Sequence, residues 1–180
     1  MNFMNKCISI SFLGIALMLF SFFLLTNLKA AKKESPLLLV LDNDTLPEVN
    51  NQIIAFVDAH LHHKVGYGEC WDLAAIPLNN SNAKWDKRYV FGKLLQPDTD
   101  SIFPGDIIQF EGVVITTRKE NYKATAYLEH HTAIIYKVWG NKKYTLAQQN
   151  TSDLGRKVGF GEIDLSHLDR GRYMIYRPSK

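Results

Sequence analysis

At Pro104-Gly105-Asp106 the chain changes its hydrophobic period, and this change restricts the fold more than any other feature. Before it, Ile53, Ile54, Val57 and Leu61 recur at helical spacing, so one helix face is apolar. Pro47-Glu48 supplies a favoured helix start. The helix is expected to reach about His62, before Gly66 and Gly68 interrupt it. A second, short helix is expected from Cys70 to about Pro77. Residues 79–103 read as irregular, with turn signals at Asn79-Asn80 and Gln96-Pro97-Asp98. After the Pro-Gly-Asp turn, strands are expected at Ile107–Thr116, Thr132–Trp139 and Lys143–Asn150. Gly140-Asn141 is a tight-turn signal that makes the last two a hairpin. Arg156–Ile163 and Arg172–Arg177 are further strands, with a helical turn near Ser166–Leu168. Helices followed by an antiparallel meander define a single α+β domain over residues 47–180.

Of the 180 residues, those from Lys6 to Lys29 form a segment with no charge between its ends. The apolar run Cys7–Leu25 is long for the core of a signal peptide, about 7–15 residues. It just reaches the span of a membrane anchor, about 20 residues. Residues 1–31 are therefore expected to be a signal peptide or an N-terminal anchor, with membrane contact through residues 7–28. Leu28-Lys29-Ala30 is a poor cleavage site, and Lys29, Lys32 and Lys33 oppose translocation under the positive-inside rule. An extracytoplasmic domain, cleaved or tethered, is the expectation. A cytoplasm-facing domain on an anchor is the alternative. Residues 32–46 read as a linker, with Leu37–Leu41 a short strand or a packed segment. The formal charge of +3 and the scattered basic residues give no nucleic-acid footprint.

Cys7 lies in the apolar run, so Cys70 is the only thiol of the domain and has no partner for an internal disulfide. A free cysteine in an exported chain is either a reactive thiol or a buried small hydrophobe. Its context is Gly66-Tyr67-Gly68-Glu69-Cys70-Trp71. Two glycines permit a sharp turn, and Cys70 opens a helix. A helix N-terminus favours a thiolate and offers N–H groups to an oxyanion. Tyr67 and Glu69 fall on the oxyanion and substrate side of such a site.

A base is the next requirement. His130-His131 enters an apolar strand, and adjacent strand residues point to opposite faces, so one of the two can face a helix layer. Gln148 and Asn150 share a face of the following strand, and either can hold the imidazole. His60 and His63 lie one helical turn apart. Without matching carboxylates they read as a solvated helix end rather than a metal site.

Together these segments resemble the papain-fold amidohydrolases of the CHAP and NlpC type. The shared order is Gly-x-Gly-x-Cys-Trp, Pro-Gly-Asp before a strand, His-x-x in a strand, and an amide-rich strand end. The closest pattern is the cysteine-proteinase-fold domain of certain cortical-actin-associated proteins, with Gly-Glu-Cys-Trp and His-His-Thr-Ala segments. The resemblance spans about residues 48–178 and includes Tyr176-Arg177-Pro178. It implies a papain-like domain with Cys70 as nucleophile, His131 as base, and Gln148 and Asn150 at the Glu-x-Asn positions of CHAP-type sites. It implies hydrolysis of an amide in a peptide or peptidoglycan-like substrate by a monomer, without metal or cofactor. Gln148 stands where an acid is usual, which also admits a binding or scaffold module with little catalysis.

Overall fold

The computed structural model describes residues 46–119 and 121–180, so the N-terminal apolar segment and nearly all of the linker, with Leu37–Leu41, lie outside the described residues. Helix α1 (Glu48–His60) starts directly after Pro47 and buries Val49, Asn50, Ile53 and Val57 on one stripe. It stops two residues before the expected His62, which takes a positive φ of 65°. Helix α2 (Cys70–Asn80) starts at the expected cysteine. It does not stop at Pro77 but runs through it to Asn80. Proline removes one helical hydrogen bond. Burial of Leu73, Ala74 and Leu78, none of them exposed to solvent, offsets that loss, at about 2 kcal/mol for each leucine.

Six strands form one antiparallel sheet: β1 (Lys93–Leu95), β2 (Ile107–Lys119), β3 (Tyr122–Gly140), β4 (Lys143–Gln148), β5 (Gly159–Asp164) and β6 (Leu168–Arg177). Their spatial order is β1-β6-β2-β3-β4-β5. The expected meander therefore holds from β2 to β5, after which β6 crosses back to the far side of β2. Strand β1 pairs with β6 inside the segment read as irregular. Its three residues are too few to show a period.

The β2 and β3 strands are longer than expected because they continue as a two-stranded arm down to Lys119↔Tyr122. That arm satisfies its backbone by self-pairing and needs little apolar alternation. Strand β5 starts three residues later than expected, β6 starts four earlier, and a 3₁₀ turn at Leu165–His167 joins them. The β3–β4 hairpin is present, but its two turn residues are Asn141 and Lys142, both at positive φ.

Strand alternation gives the sheet two apolar faces. Ile107, Ile134, Ala147 and Tyr176 pack against α1 and α2. Ile108, Phe110, Ala133, Ile135, Leu146 and Ile175 form a second cluster, joined by Leu95 and Leu165.

The Pro104-Gly105-Asp106 turn fastens this frame. Asp106 is fully buried and pairs with Arg177 near the chain end, Nη2 to Oδ2 at 2.7 Å and Nε to Oδ1 at 2.9 Å. Asn50 of α1 donates to the same carboxylate at 2.8 Å, and the Phe103 amide donates at 2.9 Å. Gly105 has φ +86°, and a Cβ there would stand 2.6 Å from the Asn50 carbonyl oxygen.

Candidate active site

The loop before Cys70 is held by its own helix. Asp72 accepts from the amides of Tyr67 at 2.8 Å and Glu69 at 3.1 Å. Gly66 is needed where that carboxylate lies against the loop: its φ is +57°, and a Cβ would sit 2.8 Å from the Asp72 Cγ. Cys70 is then the first residue of α2 and partly exposed. It heads the helical stripe of Leu73, Ala74 and Leu78 that packs on the sheet.

The sheet grips this loop through residues just past β4. Gln149, fully buried, accepts from the Val65 amide at 3.2 Å. Its Nε2 donates to the carbonyls of Val65 at 3.0 Å and Glu69 at 2.8 Å. Asn150 donates to the Glu69 carboxylate at 2.7 Å, so it holds Glu69 and not the imidazole. Of the two amides expected at the histidine, Gln148 is therefore the one that meets it, and the Asn150 alternative is corrected. Arg156 also engages Glu69 at 3.0 Å and donates to the Tyr67 carbonyl at 3.2 Å. The Tyr67 side chain itself is exposed.

His131 lies where the β3–β4 ladder has stopped, beyond the terminal pair Ile134↔Ala147. It is buried, and its ring stacks on Phe110, with centroids 6.3 Å apart and planes 20° from parallel. Its Nε2 lies 3.0 Å from Gln148 Oε1, at the end of β4. Because a carbonyl oxygen only accepts, this bond puts the proton on Nε2 and leaves the lone pair on Nδ1. The Gln148 side chain passes over Gly161, where a Cβ would collide with its amide nitrogen. Burial pushes the imidazole pKa below its usual 6.5, the neighbouring His130 adds to this, and the Gln148 bond opposes it.

His130 has a different environment. It shares the helix-side face with Thr132 and Ile134, whereas His131 shares the other face with Ala133 and Ile135. Its Nδ1 is 2.9 Å from Glu111 Oε2, and its ring meets Tyr89 edge-on at 4.4 Å. Burial raises the Glu111 pKa, but the bonds from His130 and Gln109 prevail and hold it below the usual carboxylate value.

The structure thus joins His131 to Gln148 and ties the Cys70 loop to residues 149 and 150. Among the described residues, no hydrogen bond joins the Cys70 thiol to either histidine. Gln149 and Asp72 are the functional residues that sequence reasoning missed. The Glu69-to-Asp72 spacing of a capping box was a readable signal for Asp72, whereas nothing in the pattern marked Gln149. At the end of α1, His60 Nδ1 bonds the Phe56 carbonyl at 2.8 Å and His63 Nδ1 bonds that of Leu61 at 2.9 Å.

Comparison with known proteins bears on this geometry. The family model of the AIM3/BBC1 cysteine proteinase-fold domain matches residues 40–180. This chain belongs to that family. The cysteine-proteinase fold of that family and the α+β order read from the sequence agree. A curated relative, altered inheritance of mitochondria protein 3 of Debaryomyces hansenii, is 26% identical over 147 residues. That match covers 70% of this chain but 15% of the relative, so the chain spans a small part of that protein's length. Two solved structures of Ly7917, one with the hydrolyzing product of MDP, align at 15% identity with TM-scores of 0.45 and 0.46. They cover 71% and 72% of this chain and 62% of theirs.

Proposed function

We propose that this domain is a thiol-dependent hydrolase of peptide amides, with Cys70 as nucleophile, His131 as base and Gln148 as the residue that orients the ring. The observation that carries the reading is the bond from His131 Nε2 to Gln148 Oε1. It leaves the Nδ1 lone pair of His131, within β3, as the base, and the two residues that follow its partner Gln148 fasten the Cys70 loop.

In the proposed reaction Nδ1 takes the thiol proton as Sγ attacks the amide carbonyl. The first-turn amides of α2 stabilise the oxyanion. The proton passes to the departing amine as the C–N bond breaks. Water, activated by the same nitrogen, then cleaves the thioester and restores the thiol. A lowered imidazole pKa suits a base that must be neutral before reaction. Gln148 gives the imidazolium no full countercharge, so turnover is slow beside a site with a carboxylate there.

A second reading is a binding module with an idle thiol. It is favoured by the absence, among the described residues, of a bond from Cys70 to a histidine, and by the placement of His131 on the face away from the helices. Iodoacetamide alkylation of Cys70 across pH decides between them. The hydrolase reading expects reactivity that departs from an ordinary thiol titration near about 8.5 and a profile that His131→Ala changes. An ordinary profile, identical in the variant, establishes the binding module instead.

A further inference from the structure

The arm of β3 has a free edge. Residues 122–130 pair with β2 on one side, while β4 takes up the other side only from Ile134 onward. Among the described residues no backbone bond from another segment covers that edge. Alternate residues of any strand direct N–H and C=O outward, so the edge can pair with an extended chain.

The same edge forms one wall of a groove of about 720 Å³. Its other wall is residues 150–154 and β5, and His131 and Gln148 lie at its inner end. The lining has a one-sided charge. It includes Glu129, Asp153 and Glu162, all exposed, and no lysine or arginine. This occurs on a chain whose net charge is +3, so the acidic groove is a local feature.

We infer that this groove binds an extended, lysine- or arginine-rich peptide that adds as a strand to the free edge of β3, running toward His131. Main-chain pairing supplies general affinity, and the three carboxylates select basic side chains. The inference rests on the reading above only in naming this peptide as the substrate of the thiol site. Binding itself does not require the thiol.

The test uses a fluorescent hexapeptide of alternating lysine and valine at low ionic strength, with its glutamate counterpart and the two versions methylated on one or the other set of alternate amide nitrogens. The protein carrying Cys70→Ala should bind the lysine peptide as the unsubstituted protein does. The triple variant Glu129→Gln, Asp153→Asn, Glu162→Gln should bind it about tenfold more weakly, and the glutamate peptide should bind at least as poorly. At least one of the two alternate-methylation patterns should lose binding, because it removes the outward-pairing donors. Equal binding of the lysine and glutamate peptides, or no loss with either methylation pattern, overturns the inference. Loss of hydrolysis by Cys70→Ala with binding retained separates the groove from the thiol chemistry. Binding without hydrolysis in the unsubstituted protein would refute the hydrolase reading and leave the groove intact.

Discussion

Asp106, in the turn before β2, and His131, in β3, are both buried titratable groups, and the fold treats them in opposite ways. Asp106 meets a full charge: Arg177 grips both its oxygens, and Asn50 and the Phe103 amide complete the shell. His131 meets a neutral amide, one aromatic face and burial. The first arrangement is that of a structural ion pair, which ties the turn before β2 to β6 and α1. The second leaves a lone pair and a depressed pKa, the properties of a group that changes state. The comparison separates the residues that build this frame from those poised to act in it.

The largest expected effect lies on the structural side. Asp106→Ala strands the Arg177 guanidinium, which is only about one-fifth exposed, and should cost about 3–5 kcal/mol of stability. Urea unfolding measures it. A loss below about 1 kcal/mol would place Asp106 among surface-type ion pairs and break the comparison. Next is Gln149→Ala, which removes three bonds between the sheet and the Cys70 loop. We expect about 1–3 kcal/mol, and faster amide exchange confined to residues 65–70. Uniform exchange across the domain would show that Gln149 supports the whole core and not that loop.

The division between the two groups also explains what was legible in the sequence. The change of period at Pro104-Gly105-Asp106 was visible because both sides rest on apolar repeats, Ile53/Val57 in α1 and Ile134/Ala147 on the strands. The start of α2 at Cys70 followed from the glycines before it. The continuation of α2 through Pro77 was not legible, since propensity is local and the burial of Leu78 is tertiary. Nor were β1 and the β2–β3 arm, whose hydrogen bonds need no apolar pattern. In the candidate site Gln148 was readable only together with Asn150, as two amides on one face of the strand after the histidines. Gln149, between Gln148 and Asn150, points to the opposite face. The target of that side chain is a loop more than eighty residues earlier in the chain, and no local pattern encodes such a contact.

The smallest expected effect is the most direct probe of His131. Its pKa in the folded protein is below the 6.5 of a free imidazole because burial penalises the charged ring. Between those two values the unfolded chain binds more protons, so stability rises with pH across that interval. The contribution is complete above 6.5 and is lost as pH falls through 6.5 toward the folded value. Replacing the ring by His131→Phe should flatten this slope below pH 6.5, as read from denaturation midpoints. Gln148→Glu should act in the opposite sense. A carboxylate beside Nε2 favours the imidazolium, so the ring resonances should titrate at higher pH than in the unsubstituted protein. If alkylation of Cys70 also accelerates in Gln148→Glu, the imidazole and the thiol communicate, and the amide at position 148 is what restrains the site. If the ring titrates higher while Cys70 reactivity does not change, His131 is a second structural group like Asp106, and the distinction between the two disappears.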